Sequence, residues 1–202
     1  MWSSTGFHIG TTFIFINVND MPQSVDCDLL LYADDSCLIF SDTNVDNIEK
    51  QLNKDFNSIC DWFVDNKLSI HFGEDKTKCI VFGSKPKLKN LRELNIKHGV
   101  LKIKQHPKVS YLGCILDENL SGESMANYAL GKINGKLKFL YRKQQYLNYS
   151  LRRLLINALI QPHFDFACLT WYPNLNCNLK TRIQTIQIKC IRLCLKLGYR
   201  TR

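Results

Sequence analysis

The chain has 202 residues, of which 45% are apolar and 22% charged, the balance of a globular chain long enough for one large domain or two small ones. Five Pro and ten Gly exclude collagen-like or low-complexity character, and no apolar run approaches the ~20 residues of a membrane span. The net charge of +9 conceals a division: residues 1–75 hold 13 Asp/Glu against 3 Lys, a net −10, and residues 76–202 hold 24 Lys/Arg against 5 Asp/Glu, a net +19.

Residues 1–11 show neither period nor caps and are assigned no structure. Residues 12–18 suit a short strand or the end of a helix. Cys27 to Ala33 is apolar on both pleat faces, Asp34-Asp35 interrupts it, and Ser36 to Phe40 is apolar again. Two short apolar runs around two turn-tolerant residues predict a β-hairpin with largely buried strands. Ser41-Asp42-Thr43 offers N-cap chemistry. Val45, Ile48, Leu52, Phe56, Ile59 and Phe63 then recur at spacings of three and four, an amphipathic helix that stops near Asn66. Trp62 and Phe63 are expected to close the core at its end.

Leu68 and Ile70 begin a strand, Gly73 to Asp75 turns, and Lys78 to Phe82 returns as a second strand. Residues 84–95 read as a basic loop. Residues 96–103 alternate around His98-Gly99 as a hairpin, and Val109 to Leu116 reads as one more strand. From Ser121 the period changes to helical: Leu130, Ile133, Leu137 and Leu140 in one helix, weakened by Gly131 and Gly135; Leu151 to Ile160 in a second, stopped before Pro162; Leu179, Ile183, Ile186, Cys190, Cys194 and Leu197 in a third. The expected class is α+β, mixed over residues 12–120 and all-α over residues 121–202.

The nine cysteines contain no Cys-x-x-Cys and read as buried reduced thiols of an intracellular protein. A zinc site built from Cys190 and Cys194 with Cys168 or Cys177 lacks the usual ligand spacing. His71, His98, His106 and His163 have no ligand spacing either. No basic segment precedes an apolar one at the N-terminus, so no secretory signal is expected, and the chain is placed in the nucleus or cytoplasm without membrane contact. The basic residues are spread along helices among Tyr141, Tyr146 and Tyr149 instead of being massed in a tail, so nucleic acid is the leading partner and a merely soluble basic face the plain alternative.

Asp34 and Asp35 are the most informative pair. Two carboxylates at a hairpin tip repel one another, and a hard divalent ion relieves the repulsion while completing its shell with water and phosphate oxygens. An ordinary solvated Asp-Asp turn is the alternative. The tetrapeptide Tyr32-Ala33-Asp34-Asp35 inside a hairpin resembles motif C of reverse transcriptases, and it arises by chance on the order of once per thousand chains of this size. Asn66-Lys67-Leu68-Ser69-Ile70 followed by Lys76 to Gly83 resembles motif D of the polymerases of non-LTR (LINE-type, jockey-like) retrotransposons. Val109-Ser110-Tyr111-Leu112-Gly113 resembles their motif E, the primer grip. Asn17 to Pro22 is similar to the stretch preceding motif C, and Leu151-Arg152-Arg153-Leu154 and Gln161 to Asp165 to the segment after the polymerase core. The resemblance spans roughly residues 13–200.

It implies a partial polymerase palm, an antiparallel sheet with a packing helix, followed by a helical thumb-like region, acting in RNA-directed DNA synthesis on an RNA template, a DNA primer and deoxynucleotides. Asp34 and Asp35 would be Mg²⁺ ligands and catalytic carboxylates, and Lys76 would neutralise the leaving pyrophosphate. Tyr32, Tyr111, Leu112 and Gly113 would lie by the primer end and incoming nucleotide. Lys132, Lys136, Lys138, Arg142, Lys143, Arg152 and Arg153 would contact phosphates.

The departures carry equal weight. Nothing before Asp34 matches the motif A carboxylate, because Asp20, Asp26 and Asp28 belong to the approach to motif C, and the Pro-Gln-Gly segment of motif B has no counterpart. The chain is therefore expected to be a fragment of such a polymerase, inactive alone, because half of a carboxylate cluster binds Mg²⁺ weakly. A non-catalytic basic nucleic-acid-binding module is the alternative.

Overall fold

The computed structural model describes residues 20–33, 35–68 and 76–197. The chain is mixed α/β, 55% helix and 14% strand, with small antiparallel sheets. It divides into two compact units: residues 1–79 with 91–105, and residues 80–90 with 106–202.

In the first unit, β1 (Asp28–Tyr32) and β2 (Asp35–Ile39) form the expected hairpin in the register Asp28↔Ile39 to Tyr32↔Asp35. Ala33, directly after β1, takes a left-handed φ of 52°, a conformation that tight hairpin turns use. The burial expected of these strands is not found. Leu30, Leu31, Tyr32 and Ile39 are exposed, because among the described residues β1 and β2 pair only with each other and an isolated two-stranded ribbon has no covered face. The strand-or-helix reading of 12–18, the strand start at Ile70 and the turn at 73–75 lie outside the described residues.

Helix α1 (Val45–Asp65) starts one residue later than the Ser-Asp-Thr signal: Asn44 is the cap, its Oδ1 accepting from the Asp46 amide at 2.9 Å, and Asp42 accepts from the Asn44 amide at 2.7 Å. Phe56, Ile59 and Cys60 are buried, and the ends of the stripe, Val45, Ile48, Leu52 and Phe63, are half-buried. Trp62 and Phe63 stack edge to face at 5.4 Å. Helix α1 packs on the 3-10 turn Met21–Ser24 and on the short strand Lys97–His98. Strands β3 (Lys97–His98) and β4 (Leu101–Lys102) form the predicted small hairpin.

A polar stripe on α1 holds the segment leading into β3. Arg92 reaches Asp46 and Glu49, each at 2.6 Å; Glu49 accepts from the Asn95 amide at 2.9 Å; Asn53 donates to the Asn95 carbonyl and accepts from the Lys97 amide, both at 2.9 Å. Asn57 follows with a contact to His98. The residues 46, 49, 53 and 57 lie on one helix face.

Residues 78–82 are not a strand. Cys79 makes a single bridge to Gln105 in the first unit, while Gly83 donates to Glu118 at 2.9 Å in the second, so no single partner runs beside the whole segment. The basic loop contains a short helix, α2 (Lys85–Lys89), with Pro86 in its first turn and Ser84 accepting from the Leu88 amide at 3.0 Å. The expected single strand 109–116 is a hairpin, β5 (Lys108–Tyr111) and β6 (Cys114–Asp117), turned by Leu112 at φ 47° and Gly113 at φ 78°. Among the described residues the strands form three two-stranded antiparallel sheets.

The rest of the second unit is helical: α3 (Glu123–Lys143), α4 (Tyr149–Leu159), α5 (Gln161–Asp165), α6 (Cys168–Trp171) and α7 (Cys177–Leu195). Asn148 and Asn176 cap α4 and α7, accepting from the Leu151 and Leu179 amides at 2.8 and 2.9 Å. One core joins Met125, Leu130, Ile133, Leu137 and Leu140 of α3 to Ile156 and Ile160, to Phe164 and Trp171, and to Leu179, Ile183, Ile186, Cys190 and Leu193 of α7. Gly131 and Gly135 face open space on the outer side of α3. No helix among the described residues is long and apolar enough to cross a membrane.

Candidate functional site

Asp35, the described member of the paired acids, opens β2. Tyr32 and Asp35 face each other as the last pair of the ladder, and both are exposed, Tyr32 to 63%. Asp34, the expected metal-ligating carboxylate, lies outside the described residues. Among the described residues no group of three or more His, Cys, Asp or Glu is gathered closely enough to hold a metal, and Asp35 by itself is a single exposed carboxylate. Lys76 is exposed in the same unit, in the turn that follows residues 69–75, and has no ion pair with Asp35.

The first unit buries a different carboxylate. Asp55 is 1% exposed and accepts from the Cys27 amide at 2.7 Å and from Gln51 Nε2 at 3.1 Å. Burial pushes its pKa up, but the hydrogen bonds from Cys27 and Gln51 outweigh that and hold it below the usual carboxylate value. Burial, reinforced by Asp55, drives the Cys27 thiol up to about 12. All nine cysteines are free, and burial raises Cys60, Cys79 and Cys190 to about 11, so these thiols are protonated and inert at neutral pH.

In the second unit Tyr111, Leu112 and Gly113 sit together at the β5–β6 turn. Tyr111 is half-buried, Leu112 is exposed, and a Cβ on Gly113 would come 3.3 Å from the Phe166 ring. The seven cations expected to face phosphates separate into distinct environments. Arg152 is buried, 6% exposed, and its guanidinium donates to the Cys194 carbonyl at 3.0 Å and to the Leu147 carbonyl. It is a structural clamp on the C-terminal turn of α7, where the helix dipole favours a cation, and it is withdrawn from any surface. Lys136 donates to the Leu159 carbonyl at 2.9 Å and lies 2.6 Å from His163 Nε2. Burial first, then Lys136 and Lys132, depress the His163 pKa, which keeps the imidazole neutral and able to accept from Lys136. Lys132 lies over the Tyr128 ring, 5.3 Å from its centre. Lys138, Arg142, Lys143 and Arg153 are exposed.

Two of these exposed cations share a depression. A groove of about 590 Å³ between α3 and α7 is lined by Asn134, Leu137, Lys138, Tyr141, Arg142 and Lys189. Lys189 comes from α7, where the tyrosine Oη of α3 donates to its carbonyl at 2.8 Å. Asn134 was not singled out by sequence reasoning, though its spacing from Lys138 and Arg142, four and eight residues, is the signature of one helix face.

No protein-family model matches the chain, and neither curated proteins nor solved structures give a match.

Proposed function

We propose that this chain carries part of an RNA-directed DNA polymerase of the non-LTR retrotransposon type, comprising the hairpin of the paired catalytic carboxylates and the basic helices that hold template and primer. The observation that carries this reading is the hairpin itself. Tyr32 and Asp35, the two outer residues of Tyr32-Ala33-Asp34-Asp35, close the ladder as the pair Tyr32↔Asp35, which supports the resemblance to a motif C hairpin. On this reading Asp34 and Asp35 contribute to holding Mg²⁺ and Lys76 serves the leaving pyrophosphate. Tyr32, Tyr111, Leu112 and Gly113 serve the primer end and deoxynucleotide. Lys132, Lys136, Lys138, Arg142, Lys143 and Arg153 serve the phosphates.

The sequence contains no counterpart of the motif A carboxylate or of the Pro-Gln-Gly segment of motif B, so on this reading the chain on its own binds and does not polymerise. Primer extension on an RNA template with Mg²⁺ or Mn²⁺ tests this together with filter binding of the same hybrid. Expected are no templated synthesis and an affinity that falls steeply with salt. Synthesis abolished by Asp34→Ala overturns the inactivity, and absence of binding at low salt overturns the reading as a whole.

A second reading, a basic nucleic-acid-binding module without catalytic ancestry, is favoured by the charge of the second unit, 18 Lys/Arg against 4 Asp/Glu. It predicts equal affinity for single-stranded RNA and for a primed hybrid, whereas the polymerase reading predicts preference for the primed end.

A further inference from the structure

We propose that Phe166 stacks on the 3′-terminal base of the primer strand, forming with Leu112 an apolar ledge beside the β5–β6 turn. The proposal rests on the polymerase reading, which gives that turn to the primer end, and adds to it an aromatic ring from the junction of α5 and α6. All the residues of the ledge belong to the second unit.

Leu112 at φ 47° and Gly113 at φ 78° are the two residues between Tyr111 and Cys114, the last pair of the ladder. Asn-Gly is the sequence that suits two such left-handed residues. A bulky apolar side chain is strained there, and strain of this kind gathers at binding sites. Leu112 is moreover 41% exposed, so no burial within the chain offsets its conformation.

Phe166 is the neighbour of this turn. A Cβ on Gly113 would lie 3.3 Å from the Phe166 ring, so the ring packs where a side chain is missing. The main chain of Phe166 is fixed on both sides. Its amide donates to the Pro162 carbonyl at 3.0 Å, and its carbonyl accepts from Nε1 of the buried Trp171 at 2.9 Å. Ala167, directly after it, is again left-handed, at φ 49°. The Thr170 hydroxyl donates to the Ala167 carbonyl at 2.7 Å and lies 3.6 Å from the Cys114 thiol at the start of β6. Turn and junction are held as one piece, and the ring they hold is 46% exposed. Such a preset ring loses little freedom when a ligand covers it.

The chemistry of the ledge selects the part of a strand that it meets. Leu112, Gly113, Phe166 and Ala167 bring no charge, whereas the unit around them carries 18 Lys/Arg against 4 Asp/Glu. That charge draws a polyanion, and the phosphates go to the cations. Asp165, next to Phe166 in the chain, accepts from Gln161 Nε2 at 2.9 Å and disfavours a phosphate here. The flat face of a base is what an uncharged ring and a leucine accept. Within a hybrid the interior bases are covered on both faces by their neighbours, and only a terminal base has a face to offer. Stacking on an aromatic ring tolerates every base, as a site that serves each successive primer end requires.

A DNA primer on an RNA template, with 2-aminopurine as the 3′-terminal primer base, reports the contact by its fluorescence. The same base about ten nucleotides inside the primer is the reference, and filter binding compares this hybrid with single-stranded RNA. With the full chain at low salt, binding should quench the terminal base and not the interior one. Phe166→Ala should abolish that quenching and lower the preference for the primed hybrid about tenfold, the loss of one stack. Phe166→Tyr should retain both. Leu112→Asn suits the left-handed turn better, so the ledge predicts weaker quenching with no fall in melting temperature, whereas a purely structural leucine predicts unchanged quenching. Ile188→Ala, at a residue of α7 that is 48% exposed, should leave both readouts within about twofold. Unchanged quenching and preference in Phe166→Ala overturn the ledge and leave the polymerase reading standing. Where circular dichroism shows that variant unfolded, unchanged quenching in Leu112→Asn does the same. Equal loss in Ile188→Ala also overturns the ledge. Binding without preference for the primed end overturns the polymerase reading, and the ledge with it.

Discussion

The two units of this chain are held together by different physics. The first carries 14 Asp/Glu against 9 Lys/Arg and the second 18 Lys/Arg against 4 Asp/Glu. The second has a contiguous apolar core running through α3, α4 and α7. Among the described residues of the first, the buried apolar residues are few, and side chains bonded to main chain tie its segments together: Glu49 and Asn53 to the segment leading into β3, and Asp55 to Cys27. A packed core resists changes of shape, whereas a polar lacing resists removal of an acceptor. The comparison implies that the second unit fails through steric substitutions and the first through loss of single hydrogen-bonding groups or of their charge.

The largest effect is expected at Gly122, which begins α3 at φ 72°, with the Trp171 carbonyl oxygen 2.2 Å from where a Cβ would sit. Gly122→Ala meets left-handed strain and a main-chain clash together, and should cost roughly 2–4 kcal/mol in urea unfolding. The same substitution at Gly131, in mid-helix with nothing within 4 Å, should instead stabilise by about 0.5–1 kcal/mol through helix propensity. If both alanines act alike, close packing is not what distinguishes the second unit.

What the sequence made legible follows from the same division. Periodic apolar residues announced α1, α3, α4 and α7, because a helix with one buried stripe writes its packing into its spacing. The β1–β2 and β3–β4 hairpins were legible from the turn-tolerant residues Asp34-Asp35 and His98-Gly99 between apolar runs. The β5–β6 turn was not, since Leu112 in a left-handed conformation is no turn signal and only Gly113 marks it. Exposure of the β1–β2 ribbon was illegible because apolar strands look alike whether or not another strand covers them. Arg152 and Arg153 are adjacent basic residues in sequence, yet one is buried against Cys194 and the other exposed. Only the docking of α4 on α7 decides between them. The stripe Asp46, Glu49, Asn53 and Asn57 does have helical spacing, and polar periodicity carried information that a search for apolar periodicity passes over.

Next in size is Asp55. Its carboxyl is held below the usual carboxylate value in the folded chain, so it binds fewer protons folded than unfolded near that value. Its contribution is then complete above the unfolded value of about 4 and is lost as pH falls through the folded one. Asp55→Ala, which leaves the Cys27 amide without its acceptor, should cost about 1–3 kcal/mol at neutral pH and flatten the loss of stability in acid. Asp55→Asn keeps an acceptor without the charge and should fall between. Hydrogen exchange at the Cys27 amide reads this locally. Unchanged protection in Asp55→Ala would transfer the cohesion of the first unit to its apolar residues and erase the contrast with the second.

The smallest effect separates polar lacing from simple ion pairing. Arg92 meets Asp46 and Glu49 in the open, with its own side chain 51% exposed. Bonds to Arg92, Asp42 and the Asn44 amide accordingly appear at the surface, whereas the Asp55 bonds do not. Solvent and salt screen such pairs, and ordering a long side chain offsets what attraction remains. Arg92→Ala should lower the melting temperature slightly at low salt and not at all at high salt. The acceptors it leaves behind are hydrated, and Glu49 keeps its bond from the Asn95 amide at 2.9 Å. A salt-independent loss as large as that of Asp55→Ala would mean that Arg92 acts by packing its stem against α1, and the first unit would then depend on surface contacts as the second depends on its core.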